Sequence, residues 1–139
     1  MEAKVTWKQK YAFTGSVPSG PQIPVDTTVA KGGDGTGPSP MELILIGLGG
    51  CTGMDVISIL EKKQQDVTAF EVRVSGERTE DHPRVFTDIV VEYVVTGHHV
   101  APEAVERAVE LSETKYCSVS AMLKKAANIT TKITIQEAE

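Results

Sequence analysis

Cysteine is scarce in this chain. Cys51 and Cys117 are the two among 139 residues, and neither belongs to a CxxC motif. A basic block is missing as well. There are 14 lysines and arginines against 19 acidic residues, a net charge of −5. Sequence-independent nucleic-acid binding needs a cationic footprint that this balance does not supply, so no nucleic-acid partner is expected. Metal signatures are lacking too. His82, His98 and His99 form no HExxH and no close Cys/His cluster, so neither a metal nor a cofactor is expected. The glycine-rich run 32–37 lacks the Gly-Lys-Ser/Thr ending of a phosphate cradle. The opening residues Met1-Glu2-Ala3-Lys4-Val5-Thr6-Trp7 hold no charged region followed by an apolar run, unlike a signal peptide. The expectation is a cytoplasmic protein, where cysteine pairs tend to be catalytic or redox-sensing rather than structural.

What is present fits one domain over residues 1–139, long enough to bury about two thirds of its unfolded surface without a staple. Val5, Trp7, Tyr11 and Phe13 alternate with polar residues, which reads as a half-buried strand. Residues 15–21 read as a turn, and Ile23, Val25, Thr27 and Val29 alternate again as the partner of a hairpin. Residues 31–38 read as a flexible loop. Ser39-Pro40-Met41-Glu42 has the form of a capping box opening a helix. That helix extends to about Gln64 and reads as a buried core helix rather than a membrane span. Gly47, Gly49, Gly50 and Gly53 interrupt it, each at a cost of about 1 kcal/mol relative to Ala, which points to close packing, a kink or a special site. Strands are expected around Phe70–Ser75 and Val85–Val95, helices from Pro102 and from Cys117, and a last strand around Ile129–Ile135. The order is βββ-α-ββ-αα-β, an α+β class with mostly antiparallel pairing.

The chemistry concentrates at the cysteines. At 100° per residue, Cys51, Asp55, Ser58 and Lys62 share one polar stripe on an otherwise apolar helix. Such a stripe faces a pocket, a partner subunit or water. Asp55, one turn after Cys51, disfavours a thiolate there by like-charge repulsion. Cys117 precedes Ser118, a natural N-cap, and a helix start favours thiolate. A thiol pair that meets in space is one reading. Two unrelated cysteines filling the core is the other, since free cysteine packs well as a small apolar group.

The runs Ser39-Pro40-Met41-Glu42-Leu43, Leu48-Gly49-Gly50-Cys51-Thr52 and Tyr116-Cys117-Ser118-Val119-Ser120 resemble the OsmC/Ohr family, in its YhfA-like branch. The resemblance covers nearly the whole chain. It implies the OsmC-like fold, with a long central helix carrying the first cysteine and an intertwined homodimer. It also implies an enzyme, a thiol-dependent peroxidase that reduces organic hydroperoxides and confers resistance to them. Cys51 matches the peroxidatic cysteine and Cys117 the resolving one. An external thiol, in some members a lipoyl protein, reopens the disulfide. Two features depart from the peroxidases. Their glutamate ten positions before the first cysteine is Met41 here, and the neighbouring Glu42 points away from Cys51 on a straight helix. Their arginine precedes the helix, whereas Arg73, Arg78, Arg84 and Arg107 all follow Cys51. The cations upstream are lysines, Lys10 and Lys31 among them, which lack the planar guanidinium fork. Glu42, Asp55 and Lys31 are the candidate helpers, and Met41, Leu45 and Met54 candidate lining for a substrate pocket. The alternative function is a redox-sensing or small-ligand-binding module on the same fold.

Overall fold

The computed structural model describes residues 1–139. Its elements follow the expected order: β1 (Lys4–Gln9), β2 (Ala12–Ser16), β3 (Gln22–Val25), α1 (Pro40–Lys62), β4 (Asp66–Arg78), β5 (Phe86–His98), α2 (Pro102–Leu111), α3 (Ser118–Leu123) and β6 (Asn128–Glu137). The chain forms two compact units, Met1–Ile44 and Leu45–Glu139, and α1 runs from the first into the second.

In the first unit, β1, β2 and β3 form an antiparallel sheet in that order. The alternation from Val5 to Phe13 is two strands rather than one. The chain reverses at Lys10 and Tyr11, where Lys10 takes a positive φ of 47°. Period-2 patterning continues across a tight hairpin, so it does not reveal the break. Gly15 lies inside β2, paired with Val5 and Ile23, rather than in a turn. Nor is β1 half-buried: every residue in it is exposed.

The glycine-rich segment is held rather than loose, by a residue with no recognisable motif. Asp26 is buried. Its carboxylate accepts the Thr36 hydroxyl at 2.7 Å and the backbone N–H groups of Thr36, Thr27 and Asp34 at 3.1, 2.7 and 3.2 Å. Those bonds, the Thr36 hydroxyl first, bring its pKa down to about 2. Gly33 is required in this turn, because a Cβ there would lie 2.3 Å from the Thr27 carbonyl oxygen.

The second unit holds the core. In its sheet β5 is central, antiparallel to β4 and parallel to β6. A parallel partner needs a crossover, and α2 and α3 supply it between β5 and β6. Ile89, Val91, Tyr93 and Val95 of β5 are almost fully buried. On α2, Ala104, Val105, Ala108 and Val109 make the inner face as expected, while Leu111, expected with them, is only half-buried.

The Ser39–Glu42 capping box forms as its sequence demands. The Ser39 N–H donates to Glu42 Oε1 at 3.0 Å and the Glu42 N–H to Ser39 Oγ at 3.3 Å. The expectation that α1 is a buried core helix needs correction. Its buried residues are Leu48, Thr52, Val56 and Leu60, one stripe at i, i+4 spacing. Elsewhere it exposes apolar side chains, Met54 at 74 % and Ile46 at 59 %. It is the one helix long and apolar enough to cross a membrane by length and composition. Within a single chain only one of its faces meets core. Gly49 and Gly53 lie over Val74 and Val72 of β4, where an added Cβ would come within 3.1 and 3.4 Å of their methyl groups. Gly47 and Gly50 face open space.

Candidate functional site

Cys51 lies in the middle of α1 and is half-buried, whereas Cys117 is buried at 3 % exposure. Cys51 lies near enough to Cys117 to act on its titration, and both are free thiols. The structure puts near one another the two cysteines that composition alone left as either a pair or two unrelated fillers.

Cys117 is placed by an unusual stretch of backbone. Residues Ser112–Tyr116 form a π-helical turn directly after α2, a feature often found at functional sites. The turn closes with the Cys117 N–H donating to the Ser112 carbonyl at 2.8 Å. Cys117, not Ser118, is the N-cap of α3, and its sulfur accepts the Ser120 N–H at 3.3 Å.

That cap does not make Cys117 a thiolate. Burial pushes its pKa up to about 11, and the neighbouring Cys51 and Asp55 push the same way, against the Ser120 N–H. The expectation of a dipole-lowered thiol fails because desolvation outweighs one N–H at the start of a six-residue helix.

Beside the thiols runs a chain of buried hydroxyls. Ser112 Oγ donates to Asp55 Oδ2 at 2.9 Å. Thr52 Oγ1 lies 2.7 Å from Ser112 Oγ and 2.7 Å from the Tyr93 hydroxyl. A hydroxyl has one proton, so Ser112, having given its own to Asp55, accepts from Thr52, and Thr52 accepts from Tyr93. The chain runs one way, from Tyr93 through Thr52 and Ser112 to Asp55. Burial holds the Tyr93 phenol protonated, with its pKa pushed up to about 12. Ser112, Thr52 and Tyr93 were not among the candidates read from the sequence. The available signal was spacing. Thr52 interrupts the stripe Leu48, Val56 and Leu60, and Ser112 extends the inner face of α2 one turn beyond Ala108. A hydroxyl on a buried stripe must find a partner.

The other candidates sit as follows. Asp55, Ser58 and Lys62 line a groove of about 460 Å³ with Met54, Ile59, Leu111 and Tyr116, so three members of the polar stripe face a pocket, whereas the fourth, Cys51, does not line it. Leu45 and Met54 line a second groove, apolar and about 770 Å³, with Ile46, Ile57 and the β4 residues Phe70, Val72 and Val74; Met41, expected beside them, does not line it. Glu42 and Lys31 belong to the first unit. The Glu42 carboxylate is held by Ser39, whose N–H lowers its pKa most, with a smaller effect from the Lys31 charge. Lys31 ends a single 3₁₀ turn, Val29–Lys31.

Known proteins share this architecture. Residues 33–132 match the family model described as "OsmC-like protein". The chain is 48 % identical over 130 residues to Protein YhfA of Escherichia coli K12, covering 94 % of each chain. A crystal structure of a hypothetical protein from Aquifex aeolicus VF5 superposes with a TM-score of 0.87 at 34 % identity, covering 99 % of this chain and 97 % of the other. An organic hydroperoxide resistance protein, OsmC, from Legionella pneumophila shares the fold at a TM-score of 0.71 and 12 % identity, over 96 % and 95 % of the two chains. With a family match over most of its length and a near-full-length relative at 48 % identity, this chain belongs to the OsmC family.

Proposed function

We propose that this protein is a thiol-dependent peroxidase for organic hydroperoxides, working through Cys51 and Cys117. The observation that carries the reading is a half-buried free thiol, Cys51, lying near a buried free thiol, Cys117. Membership of the OsmC family supports a redox role in peroxide resistance, and the Legionella relative of the same fold bears the name of that role.

In the first step the Cys51 thiolate attacks the distal oxygen of the hydroperoxide. The O–O bond breaks, the alkoxide leaves and takes a proton as the alcohol, and Cys51 becomes a sulfenic acid. In the second step the Cys117 sulfur attacks Cys51. The S–S bond forms, the S–O bond breaks, and hydroxide leaves with the Cys117 proton as water. An external dithiol of the lipoyl type then reduces the disulfide. Half-exposed Cys51 suits the attacking role, and buried, protonated Cys117 suits resolution, in which its proton leaves with the water. The apolar groove beginning one residue from Cys51, at Gly50, suits a hydrocarbon substituent. The working form is a cytoplasmic homodimer in which a second copy covers the exposed apolar face of α1 around Ile46 and Met54.

Treatment with cumene hydroperoxide tests the reading. The expected result is loss of both free thiols, a Cys51–Cys117 disulfide, and turnover with lipoamide or dithiothreitol at about 1 s⁻¹ or faster. Unchanged thiols would sink it.

One observation favours a second reading, a redox-sensing or small-ligand-binding module with little turnover. Glu42, the candidate acidic helper next to the Met41 position, has its carboxylate committed to the Ser39 cap. Oxidation in a single round without steady-state consumption of peroxide separates this reading from the first.

A further inference from the structure

The buried hydroxyl chain does more than fill a polar gap in the core. We infer that Ser112 is a positioning residue for closure of the Cys51–Cys117 disulfide, strapping the turn that carries Cys117 to the helix that carries Cys51. The inference rests on the redox-pair reading above.

Ser112 is fully buried and holds both sides of the thiol pair at once. Its backbone carbonyl accepts the Cys117 N–H at 2.8 Å, closing the π turn. Its side-chain hydroxyl bonds two residues of α1, Asp55 at 2.9 Å and Thr52 at 2.7 Å. Those residues lie one turn after Cys51 and directly after it. A single residue thus ties the backbone of one thiol to the helix of the other. A disulfide needs its Cα atoms about 4.4–6.8 Å apart with a restricted dihedral angle, so small drifts of the π turn remove the geometry. Unaided, a π turn is a poor holder of position, being a rare and strained form of helix.

Ser120 supplies the contrast. It is also buried and stands on the segment that follows Cys117, yet its hydroxyl has no hydrogen-bond partner. The strap is therefore a property of the Ser112 hydroxyl and not of buried serines near Cys117 in general. The direction of the chain makes Asp55 its terminus. Its carboxylate takes the Ser112 proton, which orients every hydroxyl behind it.

The test is a glutathione redox titration of the full chain. Two electrons pass from the Cys51 and Cys117 thiols to oxidised glutathione; the protein S–S bond forms, the glutathione S–S bond breaks, and two reduced glutathiones are released. The equilibrium constant is the effective concentration of one thiol at the other. Ser112→Ala is expected to lower it at least tenfold, and Ser120→Ala to leave it within twofold. Asp55→Ala should lower it as Ser112→Ala does, whereas Asp55→Asn, which keeps an oxygen to accept from Ser112, should hold it within about threefold. The double variant Ser112→Ala with Asp55→Ala should lose no more than the larger single loss, since both cut one strap.

If Ser112→Ala does not fold, as circular dichroism would show, the Asp55→Ala and Asp55→Asn pair carries the same test. Three results overturn the inference alone: a folded Ser112→Ala protein with wild-type equilibrium, an Asp55→Asn protein as impaired as Asp55→Ala, or additive losses in the double variant. A wild-type protein that closes no disulfide at all overturns both this inference and the redox-pair reading.

Discussion

The Cys117 thiol lies near the Cys51 thiol, and the two differ sharply in access: Cys51 is half-buried while Cys117 is 3 % exposed. At pH 7–8, iodoacetamide should therefore modify Cys51 and spare Cys117. Labelling of Cys117 should require unfolding or a pH approaching 11. Peptide mass spectrometry of briefly alkylated protein reads both sites at once, and equal labelling at pH 7.5 contradicts the assignment. The same shift has a stability consequence. Folding raises the Cys117 pKa from 9.0 to about 11, so the folded form favours the protonated thiol. Its contribution is complete below pH 9 and is lost as pH rises from 9 towards 11.

Asp26 works in the opposite sense. Its carboxylate pKa falls from 3.8 to about 2, through the Thr36 hydroxyl first and then the backbone N–H groups. The stability it contributes is complete above pH 3.8 and is lost as pH falls from there towards 2. Asp26→Asn should flatten this part of the acid-unfolding curve and speed amide exchange at Asp34 and Thr36, whose N–H groups it holds. Unchanged exchange at both amides would contradict its role as the loop's fastener.

Tyr93→Phe removes the first donor of the hydroxyl chain and leaves Thr52 Oγ1 without its incoming proton. A buried hydrogen bond of this kind contributes about 1 kcal/mol. Thermal or urea unfolding should show a loss of about that size, with the thiol pair still able to close because Ser112 and Asp55 remain bonded. A loss near zero would mean that the Tyr93–Thr52 bond adds nothing to stability.

On α1, Ile46 and Met54 are 59 % and 74 % exposed in the single chain. If a second copy covers them, Ile46→Glu with Met54→Glu places two charges in an apolar interface and should give a monomer by sedimentation equilibrium. Both side chains are more than half exposed in the single chain, so a folded monomer is the expected product. A wild-type protein that is already monomeric, or a variant that remains dimeric, rules this face out as the interface.

Much of the architecture was legible because its causes are local. The capping box at Ser39–Glu42 specifies the start of α1, and the 3.6-residue spacing of Ala104, Val105, Ala108 and Val109 specifies the buried face of α2. Other features were hidden for equally physical reasons. The β1–β2 turn keeps a period-2 pattern through Lys10 and Tyr11, so two strands read as one. The burial of α1 was overestimated because apolar composition says what a helix can bury, not how much surface its own chain offers it. The loop at 32–37 reads as flexible because the four bonds holding it converge on Asp26, which carries no motif.

The amino-acid sequence by itself determined the order of elements, the two cysteines as the chemical focus, and the polar stripe that carries Asp55 beside Cys51. Tertiary structure decided the rest of the site. It brought Cys117 near Cys51, assembled Tyr93, Thr52 and Ser112 from three separate elements, and turned Cys117 from a candidate thiolate into a protected thiol. The division follows from the forces involved. Caps and periodicities act over one or two turns of chain, whereas desolvation and hydroxyl-to-hydroxyl contact depend on what the fold packs around each group.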